Sequence, residues 1–183
     1  LHVRSRRQRQ MCIRDRHLTG GLSAAEAVEA VQVGLVDGME SASLSGTTII
    51  ARQILCLMRH LDVPEDVVDL AVNHAPGVVG VDVAGPEDGF PLAPFTNALT
   101  RVQAAGIHLT VHAGEAAGPE SILDALNHGA ERLGHGVRII EDRDESGWGP
   151  TAQQVLSNQV PLEVCPTSNT QTGICLLYTS DAA

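Results

Sequence analysis

Four short stretches combine reactive side chains with residues that let a chain turn sharply. They are Asp82-Val-Ala-Gly85, His112-Ala-Gly-Glu115, Gly134-His135-Gly136 and Cys165-Pro-Thr-Ser-Asn169. A neutral imidazole is a good ligand for zinc, which makes His112 a candidate metal ligand. Glu115 lies three residues later, past Gly114, where the chain can turn tightly. That spacing brings a carboxyl group near a metal held by His112 without obliging it to bind. Such a carboxyl is suited to proton transfer. His135, flanked by two glycines, could orient or deprotonate a metal-bound water.

These stretches gain meaning from the elements ahead of them. Val78–Ala84, His108–His112, Arg132–His135 and Val160–Cys165 read as short strands, and Thr47–Leu57, rich in β-branched residues, as another. Helices fall between and around them. Ser23-Ala-Ala-Glu26 is a capping-box pattern opening a helix, and Pro64-Glu65 opens a second, with Pro in its first turn. Further helices are expected at Pro94–Ala105, Pro119–Asn127 and Pro150–Asn158. Alternating strands and helices imply a parallel sheet covered by helices, either an open doubly wound sheet or a (β/α) barrel. No Gly-x-Gly-x-x-Gly comes after the first strand, which argues against a dinucleotide site. In both architectures sites form at the carboxyl ends of strands, where all four stretches lie.

Period-two geometry refines the expectation. Ile107, Leu109 and Val111 share one face of their strand, suited to packing helices. His108, Thr110 and His112 share the other, which in a barrel points inward. On the strand before it, Gly80, Asp82 and Ala84 face opposite to Val79, Val81 and Val83, so Asp82 is also interior. Plainer readings exist for each residue alone. A histidine at a strand end is often a hydrogen-bonded structural residue, Asp82 could cap a turn or pair with an Arg, and Cys165 reads as a small buried hydrophobe. Glu141, Asp142, Asp144 and Glu145 read as a solvated acidic face. The case for chemistry rests on coincidence at four successive strand ends.

Composition narrows the function classes. The chain of 183 residues is long enough for one sizeable core. It has no Lys, and six of its twelve Arg fall within residues 1–16. Residues 17–174 hold 6 Arg against 20 Asp plus Glu, a net charge of −14 that repels nucleic acid and anionic membranes. Aromatics are only 2% of residues, too few for a base-stacking surface. No apolar run approaches the ~18 residues of a membrane span. The four cysteines include no Cys-x-x-Cys pair, so a reducing, cytoplasmic setting is the default. Residues 1–16 lack periodicity and clash in composition with residues 17–174. They and residues 175–183 read as segments foreign to the domain between them. If native, the basic head would be a nucleic-acid arm.

Taken together, the chain resembles the adenosine deaminase family. The resemblance is carried by Gln53-Ile-Leu-Cys-Leu-Met-Arg-His60, Val81-Asp-Val-Ala-Gly85, Thr110-Val-His-Ala-Gly-Glu115, Glu131-Arg-Leu-Gly-His-Gly-Val137 and Leu162-Glu-Val-Cys-Pro-Thr-Ser-Asn169. It spans roughly residues 18–174. The pairing of Thr-Val-His-Ala-Gly-Glu with a later Gly-His-Gly is specific. The resemblance implies a TIM-type (β/α)8 barrel, with about five of its eight strands present here. It implies hydrolysis of the exocyclic amine of adenosine, giving inosine and ammonia. His112 then matches a ligand of the single zinc ion, and Glu115 the general acid that protonates the purine ring nitrogen beside the reacting carbon. His135 matches the residue that orients and helps deprotonate the zinc-bound water, and Gly85 a backbone contact to the purine. The partner implied is a small purine nucleoside, with neither nucleic acid nor membrane. The His-x-Glu…Pro-Cys-x-x-Cys signature of the other zinc deaminase class is absent.

The chain also departs from the family. Neither the first-strand His-x-His pair nor the last-strand Ser-x-Asn-Thr-Asp-Asp segment is present, so one zinc ligand of four remains. The expectation is that the 183 residues alone bind zinc weakly, do not turn over, and are destabilised by exposed sheet edges. A sister activity on free adenine or a modified adenosine stays open, as does a non-catalytic purine-binding α/β protein.

Overall fold

The computed structural model describes residues 21–62 and 64–171. The basic head at 1–16 and the tail at 175–183 lie outside the described residues. Helix α1 (Ala24–Leu44) opens with the expected capping box: Ser23 Oγ accepts from the Glu26 amide, and the Glu26 carboxylate accepts from the Ser23 amide. Strand β1 (Gln53–Met58) starts later than the run of β-branched residues suggests. Its partner β2 (Val78–Ala84) aligns with it from Gln53 onward, so Thr47–Arg52 has no strand to pair with among the described residues and remains irregular. High β-propensity without a partner does not make a strand. The Gln53 side chain donates to Val28 O and Gln32 Oε1, tying the start of β1 to α1.

The chain then alternates as expected: α2 (Pro64–Asn73) precedes β2, α3 (Thr96–Ala104) precedes β3 (His108–Ala113), and α4 (Pro119–Asn127) precedes β4 (Arg132–His135). After β4 two dipeptide strands, β5 (Arg143–Asp144) and β6 (Gly147–Trp148), pair as a small antiparallel hairpin. Helix α5 (Pro150–Ser157), strand β7 (Leu162–Glu163) and a short helix α6 (Pro166–Gln171) complete the described chain.

Three further expectations are corrected by the fold. The last strand covers Leu162–Glu163 rather than 160–165, because Pro161 lacks an amide for the ladder and Pro166 starts a helix. Cys165 therefore sits in the connection to α6 and is exposed, not buried. The acidic stretch after β4 is more than a solvated face. Asp142 Oδ2 accepts from the Ala152 amide and so caps the start of α5, and Arg138 pairs with Glu141.

All five strands of the main sheet are parallel, in the order β1-β2-β3-β4-β7. That order never reverses, whereas a doubly wound sheet reverses at its switch point. The architecture is thus that of a TIM-type barrel segment, an incomplete barrel of five strands. One face of the sheet is apolar and sealed: Val81, Val83, Leu109, Val111 and Leu133 are fully buried. They form one core with Val67, Val68 and Ala71 of α2, Leu99 and Val102 of α3, and Ile122 of α4. The opposite face carries Asp82 and His112, as the alternation requires. Among the described residues no helix is long and apolar enough to cross a membrane.

Leu109, 1% exposed on the central strand, and Leu156, 75% exposed on α5, provide a contrast. Leu109→Ala should cost about 2–5 kcal/mol through a lost side chain and the cavity left behind. Leu156→Ala should stay within about 0.5 kcal/mol. Paired urea unfolding curves check the difference.

Candidate active site

Register brings the sequence-selected residues to one edge of the sheet. Asp82 pairs with Thr110, His112 with Gly134, and Ala113 with His135. His112 and Asp82 share the inner face, and His112 Nδ1 lies 2.9 Å from Asp82 Oδ1. A carboxylate can only accept, so Nδ1–H donates and Nε2 is the nitrogen that carries the lone pair in the neutral ring. A carboxylate behind an imidazole fixes the ring's orientation and makes it a better ligand. Burial works against a charged His112. The hydrogen bond and charge of Asp82, with the charges of Glu115 and Glu163, outweigh burial and raise its pKa above the usual imidazole value.

His135 is held in the same way by a different group. Its Nδ1 lies 2.8 Å from Asn169 Oδ1, carried by α6. An amide oxygen also only accepts, so again Nδ1–H donates and Nε2 is the nitrogen turned toward the site. That Nε2 is 3.5 Å from Glu115 Oε2. The His112 and His135 rings face one another with centroids 5.2 Å apart. Two imidazoles with fixed tautomers and one carboxyl thus converge on a small region beyond β3 and β4.

The backbone around them is unusual in ways that packing explains. His135 adopts φ +66°, left-handed for a residue with a side chain, which costs about 1–2 kcal/mol. Such conformations cluster where function demands them. Gly134 lies under His112: a Cβ there would be 2.8 Å from His112 Cγ. Gly114, at φ +71°, makes the turn between His112 and Glu115, and a Cβ there would meet Ile122 Cδ1 at 2.6 Å. Gly85, at φ +96°, leaves β2 against Met58 and His60. A Cβ there would crowd His60 Nδ1 at 3.2 Å and Met58 Cε at 3.3 Å, so glycine lets the chain leave β2 close to the end of β1.

Four further residues build the site, and the sequence pattern assigns none of them a role. Asp82 and Asn169 lie inside the stretches that carry the resemblance, without an assigned partner. Arg59, 4% exposed, donates to His112 O and to Phe90 O. Glu87, 7% exposed, accepts from the amides of Gly114, Glu115, Ala116 and Ala117. The available signal was slight: an Arg just past β1, and an acid two residues past Gly85 in a Pro-containing loop that also holds Asp88. Nothing in the spacing of Glu87 and Gly114 announces that they meet.

As a metal centre the described residues are partial. His112 Nε2 is a suitable donor, but no group of three or more His, Cys, Asp or Glu among the described residues is arranged to hold an ion. Catalytic zinc normally has three protein ligands. The described residues alone therefore do not make the site.

The geometry makes Gly134 essential to the His112 arrangement. Gly134→Ala should push the ring off Asp82 and abolish the hydrogen-bonded Nδ1–H signal of His112 in proton NMR, with the fold retained by circular dichroism. An intact signal would show that the ring tolerates the methyl group.

The profile of the adenosine deaminase family matches residues 7–179. An adenosine deaminase of Mycolicibacterium gilvum (strain PYR-GCK) is 42% identical over 164 residues, covering 86% of this chain and 45% of the relative. The chain thus spans less than half the length of that relative. Among solved structures, adenine deaminase from Arthrobacter aurescens superposes with TM-score 0.72 at 26% identity, over 88% of this chain and 47% of the other. The Arabidopsis N6-mAMP deaminase gives TM-score 0.69 at 27% identity, over 85% and 45%. An amidohydrolase from Burkhoderia ambifaria, solved with bound Zn, gives TM-score 0.68 at 26% identity, over 81% and 39%. The match along nearly the whole sequence agrees with the strand-end histidines and the unreversed parallel sheet: the chain belongs to the adenosine deaminase family.

Proposed function

We propose that the protein carrying this segment is a zinc-dependent hydrolase converting adenosine, and 2′-deoxyadenosine, to inosine and ammonia. The observation that carries the reading is the convergence of His112, His135 and Glu115. Each imidazole turns Nδ1 to an accepting oxygen, and His135 Nε2 lies beside the Glu115 carboxyl group. A pocket that only binds has no need of two poised imidazoles beside a carboxyl group.

In this reading water adds at the ring carbon bearing the exocyclic amine, and the amine departs as ammonia. Glu115 in its acid form gives a proton to the ring nitrogen beside that carbon, making the carbon electrophilic. His135 Nε2 accepts a proton from the attacking water, with Asn169 keeping the ring in the tautomer that can do so. The Gly85 backbone meets the purine edge. His112 contributes one metal ligand, the remaining donors coming from beyond the described residues. Zinc supplies the acidity that makes water a nucleophile near neutral pH. The zinc-bound neighbour and the 42% identity to an adenosine deaminase support this choice of metal and substrate.

The structural neighbours favour a second reading of the substrate, free adenine or an N6-modified adenine nucleotide. Adenosine is preferred because the identity to the adenosine deaminase is higher than to either of these neighbours. Side-by-side assays on adenosine, adenine and N6-methyl-AMP discriminate. Fastest kcat/KM on one of the latter two would move the assignment within the family.

Two variants of the intact, zinc-loaded protein test the roles. Glu115→Gln should keep stoichiometric zinc, read by atomic absorption, and lose about 10²–10⁴-fold in kcat. His112→Ala should lose zinc and turnover together. Full turnover by Glu115→Gln would refute its role as the acid.

A further inference from the structure

We infer that Glu87 is a positioning residue for proton delivery. It holds the turn that carries Glu115 and locks that turn to the Gly85 loop. This rests on the reading of Glu115 as the acid.

Past Gly114 the chain turns, and the N–H groups of residues 114–117 point to one side, forming a concavity for an anion. The Glu87 carboxylate fills it. Oε1 accepts from Gly114 at 2.6 Å. Oε2 accepts from Glu115 at 2.9 Å, Ala116 at 2.6 Å and Ala117 at 3.1 Å. A simple turn needs one such bond. Here one buried carboxylate takes four consecutive donors, and one of them is the amide of Glu115 itself. The direction in which the Glu115 side chain leaves the backbone is thereby set by Glu87.

Glu87 belongs to the loop that starts at Gly85, and that loop is anchored independently. Arg59 donates to Phe90 O at 2.8 Å and to His112 O at 2.7 Å. The Leu92 amide donates to Asp124 Oδ2 at 3.0 Å. The end of β3 is therefore gripped on both sides of Ala113: the carbonyl of His112 through Arg59, and the amides from Gly114 onward through Glu87. Gly85 and Glu115 are thus parts of one rigid assembly. A purine seated on the Gly85 backbone would meet a carboxyl group already fixed relative to it, and such fixed geometry accelerates proton transfer.

A purely structural turn-cap would make the same four bonds, so the test must separate the two roles. Glutamine at 87 offers one accepting oxygen and turns an NH2 group toward N–H donors, so it cannot satisfy all four amides. In the intact, zinc-loaded protein, Glu87→Gln should lower kcat by about tenfold or more and KM by much less, as expected when a transition-state interaction is lost. Glu87→Asp keeps the charge and should recover part of the loss. It is also the fallback if Glu87→Gln does not fold. On a Glu115→Gln background, assayed at high enzyme concentration, Glu87→Gln should cost less than about twofold further, because its partner is already gone. Hydrogen exchange at amides 114–117 should quicken in Glu87→Gln.

Equal losses with and without Glu115, or an unchanged kcat in folded Glu87→Gln, would overturn the inference while leaving the acid assignment intact. Unslowed turnover in Glu115→Gln would overturn both. Unchanged exchange at amides 114–117 would overturn the inference regardless of the kinetics.

Discussion

Because every strand of the main sheet runs the same way, each must be returned by a crossover, and all carboxyl ends open on one edge. Residues far apart in sequence then meet only if they occupy the ends of neighbouring strands. Asp82 and His112, thirty residues apart, do so because β2 and β3 are adjacent and in register. His112 and His135 do so because Ala113 pairs with His135. The sealed apolar face supplies the rigidity. Val81, Val83, Leu109, Val111 and Leu133 alternate with the polar residues, so a one-residue slip would bury Asp82 and expose the valines. The same alternation that builds the core therefore selects the side chains that reach the site.

Packing at the edge depends on what is missing as much as on what is present. Without a Cβ at Gly134 the His112 ring lies flat across β4, close enough to Asp82 to donate and to His135 to share a pocket. Gly114 lets the chain reverse between a candidate ligand and a candidate acid. His135 takes the left-handed conformation although it is not glycine, and its buried bond to Asn169 helps offset that strain. The two histidines have different anchors, a carboxylate and an amide. The carboxylate makes His112 more basic and so a stronger electron-pair donor. The neutral amide orients His135 without adding a charge.

Much of this was legible in the sequence, and the reasons are physical. Val78–Ala84, Pro119–Asn127 and Arg132–His135 emerge with the expected bounds, because strong alternation or a Pro-Glu opening marks them locally. The inward placement of Asp82 and His112 is a consequence of period two alone. The Thr47–Leu57 reading failed in its first half because propensity cannot reveal whether a partner strand is available. The 160–165 strand shrank because two prolines bound it. Site residues lying on strands could be found from the pattern. Glu87, Arg59 and Asn169 act through loops and a short helix, and their partners are set by tertiary geometry that spacing does not encode.

The buried ions at the end of β3 show how function and stability oppose each other here. Removing the charges of Arg59 and Glu87 from water is costly. Burial lowers the pKa of Arg59, and the charges of Glu87 and Asp124 work against that shift. Four amides satisfy Glu87 and two carbonyls satisfy the ends of the Arg59 guanidinium, yet Arg59 Nε is buried without a hydrogen bond among the described residues. An orphaned buried donor costs about 1–3 kcal/mol. Apolar residues of similar volume would fill this space without that penalty, but they could not hold a carbonyl and four amides in fixed directions. The arrangement gives up stability for fixed orientation at the end of β3.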